Sequence, residues 1–347
     1  MEPITHLLFG ANLGRAGLNR KTAYATLTLT LAAESPDLDV VGRFIGSGFG
    51  FAHHRGFTHS FLGGILVAAL VVAFVYALDR LWLHRRKHDI PPRWGLLFAF
   101  AYLACLSHIL LDFTNNYGVR PFWPFSGRWY SWDIVFIVEP VLLVLLIGGL
   151  LAPLLTGLIN DEIGARRRGL AGTLAARVAL VGVLLTWGFR DYEHRRALSA
   201  LESRLYENET PIRVSAYPHF GNPLSWYGVV ETTKFYAGMN VDSWSPEADP
   251  ENNLHTFFKP DPTHITDAAR ATDLGRAFFG WAQYPLTETE TLTNPAGYRV
   301  QLFDLRFGDP QIRQMMSKAG GRHPLSFEVD LDPQLHPLPP HSEANPR

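Results

Sequence analysis

The sequence predicts a mainly α-helical membrane protein: a polytopic helical bundle with four long spans and a short N-terminal helical hairpin, followed by a small α+β or β-rich extramembrane domain. Four nearly uncharged apolar runs precede residue 198, and each is close to the ~20 residues that a helix needs to cross a bilayer. The composition then changes. Residues 1–197 carry nineteen Lys and Arg against thirteen Asp and Glu, whereas residues 198–347 carry twelve against nineteen. A wholly soluble protein is therefore excluded.

The four predicted spans share a length of 18 to 21 residues with at most one charged side chain. They are residues 61–78, 94–111, 140–160 and 169–189. Two further apolar stretches, residues 3–14 and 22–33, are too short to cross a bilayer alone. Packed as a hairpin inside the bundle, they can satisfy their backbone groups against protein.

The Lys and Arg residues of the short loops predict the orientation, because such loops tend to stay in the cytoplasm. The loops after the first and third long spans read HRRKHDIPPR and DEIGARRRG, so their common face is assigned to the cytoplasm. Residues 34–59, residues 113–133 and the C-terminal half then lie on the outer side. Arg190, which follows the last span on the side assigned as outer, opposes this orientation, as do Arg195 and Arg196.

After residue 198 the pattern alternates between apolar and polar residues and is rich in aromatic and β-branched side chains, as in WYGVVETTKFYAGMNV and YRVQLFDLRF. Such stretches predict strands, and residues 263–279 predict a helix. We therefore divide the chain into a membrane domain (1–197), an extracytoplasmic domain (198–332) and a tail (333–347). The last fifteen residues contain five prolines, which favours disorder.

The cysteine count restricts the chemistry of any site. Cys105 is the single cysteine of the chain, so neither a disulfide framework nor a cysteine-based zinc site can form. Any metal must be bound by His and carboxylate side chains. The acidic C-terminal half also argues against a nucleic-acid partner, because neutralising phosphates requires a clustered basic face.

Ionisable residues at the ends of the predicted spans are functional candidates, because such groups are expensive in a membrane. They are His6, Asp37, Asp39, His53, His54, Arg55, His59, His108, Asp112, Asp133 and Glu139. His108 and Asp112 lie four residues apart on a predicted helix, so both side chains project from one face and can bind one metal ion. Imidazole and carboxylate ligands suit zinc, manganese or iron.

Each of these motifs also has a structural interpretation. HHRG could be a basic turn that binds lipid headgroups, and SPDLD could be a helix end broken by proline and capped by Asp. His108 and Asp112 could pack helices together, since polar residues within membranes often do so. The convergence of three His and three carboxylates on one face favours the metal interpretation.

The ordered motifs THxxxG, PDLD, HRGFTHS and HxxxDxxxNxYG resemble the YdjM family of inner-membrane proteins, which are described as metal-dependent hydrolases. The resemblance covers about residues 1–190. The family positions that it matches are His6, Asp37 with Asp39, His54 with His59, and His108 with Asp112, and it implies that these residues bind metal. Glu139 stands where the family carries Asp before Pro.

The YdjM family is in turn distantly similar to zinc-dependent phospholipases C and trinuclear-zinc nucleases. That similarity implies one zinc held by an Asp of SPDLD, His59, His108 and Asp112. It implies a second zinc held by His6 and by Asp112 as a bridging ligand. The chain has no clear equivalent of the ligands for a third ion, so two ions are expected.

Two metal ions about 3.5–4 Å apart activate a water and support in-line attack on phosphorus. The predicted function is therefore hydrolysis of a membrane lipid or lipid-linked phosphoester at the outer interface. Whichever of Asp37 and Asp39 does not bind metal would act as base. Arg55, Arg120 or Arg128 would bind phosphate oxygens, and Glu139 is included in the catalytic set with Arg55. The alternatives are a non-catalytic membrane protein that binds metal, relays protons or transports ions, and a regulatory scaffold with a structural metal.

Overall fold

The computed structural model describes residues 1–44, 47–83, 89–162, 171–252, 254–309 and 325–338. The chain divides into two compact units. The N-terminal unit comprises Met1–Val41, His53–Tyr192 and Pro218–Pro223. The C-terminal unit comprises Gly42–Ala52, Glu193–Tyr217 and Leu224–Arg347. The domain boundary expected at residue 198 therefore falls inside the helix that ends at Glu202.

Seven α-helices are described before residue 203, and the long ones among them are apolar. They are α1 (Pro3–Arg15), α2 (Ala25–Glu34), α3 (Ser47–His53), α4 (Phe61–Leu78), α5 (Trp94–Phe113), α6 (Pro140–Glu162) and α7 (Ala171–Glu202). Glu2 caps α1 by accepting from the Thr5 amide, and Ser60 caps α4 by accepting from the Gly63 amide. These caps satisfy amides that the first helical turn leaves without intrahelical partners.

Three helices of the described residues are long and apolar enough to cross a membrane: Phe61–Trp82, Trp94–Phe113 and Gly172–Glu202. The predicted helical N-terminal region with several spans is thereby confirmed. The run predicted as a further span forms α6, which contains Pro153, and its apolar described part is the shorter Pro140–Pro153. The count of four spans therefore stays a prediction.

Helices α1 and α2 pack closely against each other, as expected for an N-terminal hairpin. A Cβ atom at Gly10 would lie 2.5 Å from the Leu29 carbonyl oxygen, and one at Gly14 would lie 2.7 Å from the Thr26 Cα atom. Only glycine permits such a close backbone approach at these two positions. The crossing brings His6 on α1 and the end of α2 toward the same end of the bundle.

The described residues of the C-terminal unit form two sheets. The first has strand order β1-β2-β3-β4, with β5 also paired to β3, and the second has order β6-β7-β8. The strands are β1 (Arg213–Pro218), β2 (Ser225–Glu231), β3 (Phe235–Asp242), β4 (Glu247–Ala248), β5 (His255–Phe258), β6 (Pro285–Thr293), β7 (Ala296–Asp304) and β8 (Phe327–Leu331). The predicted β-rich C-terminal domain is confirmed.

The last turns of α7 supply part of the core of the C-terminal unit. Leu201 is fully buried with Trp226 and Val241, and a Cβ atom at Gly228 would lie 2.8 Å from the Leu201 side chain. The second sheet packs with buried tyrosines, among them Tyr284. This unit therefore has a hydrophobic core of its own.

One sequence prediction is changed in detail by the structure, and several others fall on residues outside the described ranges. The helix expected over residues 263–279 is two helices, α8 (His264–Ala271) and α9 (Asp273–Trp281), because Thr272 ends the first and caps the second. The basic stretches 84–88 and 163–170, on which the orientation rests, lie outside the described residues, as does the tail from residue 339. Residues up to Leu338 form a turn that pairs with β8.

Candidate metal centre

Four side chains of the N-terminal unit converge at one end of α5. His108 and Asp112 extend from α5, His59 lies in the short helical turn before α4, and Asp37 lies in the turn after α2. One ligand atom from each of these side chains lies within 4.8 Å of the other three. The first three side chains are fully buried, whereas the Asp37 side chain is 17% exposed. We call these four residues the metal cluster.

The distances within the metal cluster match those expected around a tetrahedral ion. His59 Nε2 lies 3.0 Å from His108 Nε2, 3.2 Å from Asp37 Oδ1 and 3.4 Å from Asp112 Oδ2. His108 Nε2 lies 3.5 Å from Asp37 Oδ1 and 3.4 Å from Asp112 Oδ2. Ligands bound at about 2.0–2.1 Å to a tetrahedral zinc ion are about 3.3–3.4 Å apart.

Both histidines of the metal cluster are oriented through Nδ1. The His108 Nδ1 atom donates to the Ala33 carbonyl oxygen over 2.6 Å, and a carbonyl can only accept. The His59 Nδ1 atom lies 3.2 Å from Asp39 Oδ2. Proton donation from Nδ1 leaves the Nε2 lone pair of each ring facing the metal cluster. This arrangement is typical of metal-binding histidines.

Asp39 lies beside the metal cluster and contacts its surroundings instead of joining it. Its carboxylate accepts from the Arg55 amide at 2.8 Å and from Thr58 Oγ1 at 3.2 Å, and it lies 2.9 Å from His54 Nδ1. Burial opposes ionisation of Asp39, but the hydrogen bonds from His54 and His59 outweigh it and hold the pKa of its carboxyl well below the ordinary value. Asp39 therefore remains a carboxylate that orients two histidines.

Hydrogen bonds and burial also set the pKa values of Asp37 and His59. Burial alone would raise the pKa of Asp37, but hydrogen bonds from His108 and His59 lower it far below the ordinary value. Burial alone would lower the pKa of His59, but Asp112, Asp37 and Asp39 raise it to about 10. Without a metal, a proton on His59 therefore compensates part of the carboxylate charge.

The two oxygens of Asp112 have different surroundings. Oδ2 faces the two histidines of the metal cluster and is buried without a hydrogen-bond partner among the described residues. Oδ1 accepts from Arg55 Nη2 at 2.8 Å, contacts the Met1 amino group, and lies 3.5 Å from His6 Nε2. A buried carboxylate oxygen without a donor is expensive, and a cation bound there would remove the cost. The donor set therefore fits a divalent metal.

Arg55 is held in a strained backbone conformation. Its φ angle is 52°, in the left-handed region that is uncommon for residues other than glycine. Its guanidinium donates to Asp112, Asn115 and the Gly118 carbonyl, and it lies over the Tyr117 ring. These bonds use the guanidinium to position Asp112, which differs from the phosphate-binding role expected from the sequence.

The other predicted site residues lie at different distances from the metal cluster. His6 is buried beside it, with its ring stacked on His108 at 3.8 Å and 4.0 Å from Nε2 to Asp37 Oδ2. His54 contacts Asp39, and Arg120 donates to the His54 carbonyl oxygen at 3.0 Å. Glu139 is not brought to the metal cluster, since its carboxylate accepts from Arg190 at 3.1 Å.

Three contacts of the site were not expected from the sequence: the Ala33 carbonyl on His108, the Met1 amino group on Asp112, and Asn115 behind Arg55. A backbone carbonyl and an amino terminus carry no side-chain signal. Asn115 lies beyond the end of α5 at Phe113, so helical spacing gives no signal for its contact with Arg55.

Comparisons with known proteins agree with the membrane assignment. The family model described as "YdjM inner membrane protein" matches residues 1–196. The chain is similar to "Uncharacterized protein YfhP" of Bacillus subtilis (strain 168), with 25% identity over 88% of this chain and 87% of the relative. It is also similar to "Inner membrane protein YbcI" of Escherichia coli (strain K12), with 34% identity over 38% of this chain and 73% of the relative.

No solved structure matches the chain. The family match covers more than half of the chain and includes every residue of the metal cluster. The chain therefore belongs to the YdjM inner membrane protein family.

Proposed function

We propose that this protein is a membrane-bound, metal-dependent hydrolase that cleaves a phosphoester at the membrane–water interface. The observation that carries the proposal is the metal cluster itself. Four buried or half-buried donor atoms stand near the separations of a tetrahedral zinc site, and both imidazoles are turned so that Nε2 faces inward. Zinc is the favoured metal, with manganese or iron as alternatives.

A second ion would lie on the other side of Asp112. His6 Nε2 is 3.5 Å from Asp112 Oδ1, and neither ring nitrogen of His6 has a hydrogen-bond partner among the described residues. These features support the two-ion centre expected from the sequence, with Asp112 as the shared ligand.

Metal ions bound here would lower the pKa of a water and neutralise charge on a phosphoryl group. The residues of the chain supply the remaining functions. Asp39 holds His54 and His59, and the Nδ1 contact with Asp39 leaves His54 Nε2 available to take or give a proton. Arg120, whose guanidinium stacks on the Trp129 ring, is the candidate for binding a non-bridging phosphate oxygen.

A lipid-linked phosphoester is the proposed substrate class. His59 lies two residues before the first residue of a candidate span, which supports a position of the centre near the lipid headgroups. Asp37, the only half-buried ligand of the metal cluster, indicates the side from which a headgroup would approach. The substrate would then reach the centre by diffusing within the bilayer.

A non-catalytic metal site is the second candidate. Four protein ligands complete a tetrahedron, and structural zinc sites are closed in this way, whereas catalytic sites keep one position for water or substrate. The exposure of Asp37 favours the hydrolase, because a carboxylate that reaches solvent can give up its coordination position to water or substrate. The two functions differ in whether a phosphate analogue binds to the metal.

The test is metal content by mass spectrometry, with turnover of a phosphoester lipid in the same detergent-purified samples. His108→Ala is the variant, and His264→Ala, which removes an exposed histidine at the start of α8, is the matched control. We expect wild type and the control to retain zinc and turnover, and His108→Ala to lose both. Metal retention without turnover across headgroup classes would favour the structural site, and absence of transition metal from wild type would refute both.

A further inference from the structure

The segment 121–130, PFWPFSGRWY, projects aromatic side chains from the N-terminal unit, and we call it the aromatic loop. The Phe125 side chain is 86% exposed and the Phe122 side chain is 47% exposed. The loop is nevertheless well fixed. Its Tyr130 exchanges two backbone hydrogen bonds with Val119, of 2.8 and 2.9 Å. An ordered loop that exposes large apolar rings needs something to cover them.

The aromatic loop is attached to the first residue of a candidate membrane span. The Phe61 amide donates to the Pro121 carbonyl at 2.9 Å, and the Phe61 ring contacts the Phe122 ring at 5.5 Å. On the same span, Leu66 and Leu70 are 50% and 61% exposed, as expected for a surface that faces lipid. The exposed rings of the loop therefore continue the lipid-facing surface of the span beyond its end.

The charge of the aromatic loop also suits a lipid headgroup. Arg128 is exposed, its guanidinium lies 5.3 Å from the centre of the Tyr130 ring, and it makes no ion pair with any described residue. Aromatic rings beside a cation are typical of the region where headgroups meet acyl chains. A protein partner would more often present a carboxylate to such an arginine, but no feature of the loop favours a protein partner.

We propose that the aromatic loop is an interfacial anchor that inserts Phe122 and Phe125 into the bilayer at the level of the headgroups, with Arg128 on a lipid phosphate. The inference does not depend on hydrolysis at the metal cluster. It does have a consequence for that centre, because Arg120 at the base of the loop donates to the backbone carbonyls of His54 and Arg55. Anchoring the loop holds the headgroup layer beside these residues.

The test uses a fluorescent probe on a single cysteine. Cys105 is the single cysteine of the chain and is buried, so Cys105→Ala gives a background for labelling. Phe125→Cys carries the probe in the loop, Leu70→Cys carries it within the span, and Thr289→Cys carries it on the exposed face of strand β6. Each protein is reconstituted into phosphatidylcholine–phosphatidylglycerol vesicles that contain lipids with a quencher near the headgroup or near the chain end.

We expect the Phe125 probe to be quenched more strongly by the headgroup-level quencher, the Leu70 probe by the chain-end quencher, and the Thr289 probe by neither. Adding Arg128→Gln should weaken the quenching at position 125 in vesicles with phosphatidylglycerol and have no effect in phosphatidylcholine alone. A Phe125 probe that behaves like the Thr289 probe overturns the proposal. So does a probe that is shielded from both water and lipid quenchers, because a protein surface would then cover the loop.

Discussion

Two buried clusters of charged side chains, one in each unit, differ in how completely their polar atoms are paired. In the C-terminal unit, Asp304 accepts from three backbone amides and from the guanidinium of Arg306, which also donates to the Trp281 carbonyl. In the N-terminal unit, Asp112 Oδ2 accepts no hydrogen bond from the described residues, and two imidazole nitrogens face each other at 3.0 Å. Buried charge alone therefore does not indicate a metal site. Convergent ligand atoms that include an unsatisfied carboxylate oxygen make a candidate.

The largest difference between the clusters should appear when metal is removed. A ligand that binds only the folded state stabilises it by about 4 kcal/mol when its free concentration is about a thousand times its Kd. We expect chelation to reduce the protection of α5 amides in hydrogen-exchange mass spectrometry and to leave strand β7 unchanged. Equal loss of protection in α5 and β7 would contradict the proposal that only the cluster of the N-terminal unit binds metal.

The reverse experiment removes a charge from the buried pair of Asp304 and Arg306, which we call the paired cluster. Asp304→Ala removes the carboxylate that pairs with the guanidinium of Arg306, which is 1% exposed. Breaking a buried ion pair in this way costs about 3–5 kcal/mol. We expect lower protection in β7 with unchanged metal content.

Its control is the double variant Asp304→Leu with Arg306→Met, which removes both charges. It should recover the stability lost to the broken ion pair but not that of the amides that donate to Asp304. Loss of metal in Asp304→Ala would contradict the independence of the two clusters.

A smaller effect should follow from changing a residue that contacts the metal cluster without joining it. Asp39→Asn removes the charge that orients His59 and leaves all four proposed ligands intact. Such changes typically weaken metal affinity by about 10–100-fold. The measurement is competition with a fluorescent chelator, and Asp261→Asn, on an exposed loop, is the matched control. Affinity equal to that of wild type would mean that Asp39 does not orient His59.

The sequence predicted the bundle and most of the metal cluster because those features depend on local patterns. Hydropathy alone places α4 and α5, and the four-residue spacing of His108 and Asp112 gives one shared face. The choice between Asp37 and Asp39 depends on the path of the turn after α2, which spacing does not determine. In the structure Asp37 faces the Nε2 atom of His59, within the metal cluster, and Asp39 faces His54 and the Nδ1 side of His59.

The roles of Arg55 and Glu139 could not be predicted for the same reason. Arg55 reaches Asp112 because its backbone adopts a positive φ, and no pattern in the sequence indicates that conformation. Glu139 was expected in the catalytic set, but it pairs with Arg190, which is buried. In the structure Arg190 lies within the candidate span Gly172–Glu202, where Glu139 compensates its charge. The orientation stays a prediction.

The smallest predicted effect concerns pH and follows from the proton on His59. Without metal, the surrounding carboxylates raise the pKa of His59 to about 10, so at pH 7 the ring is protonated and cannot bind metal through Nε2. The pKa values of Asp37 and Asp39 are lowered, so both stay ionised across this range. Metal binding must then release one proton, and affinity should rise about tenfold per pH unit between about pH 6 and 8. Chelator competition at several pH values measures the slope. A flat profile would mean that His59 is neutral in the metal-free protein. The difference in pairing between the metal cluster and the paired cluster of Asp304 would then be smaller than the geometry indicates.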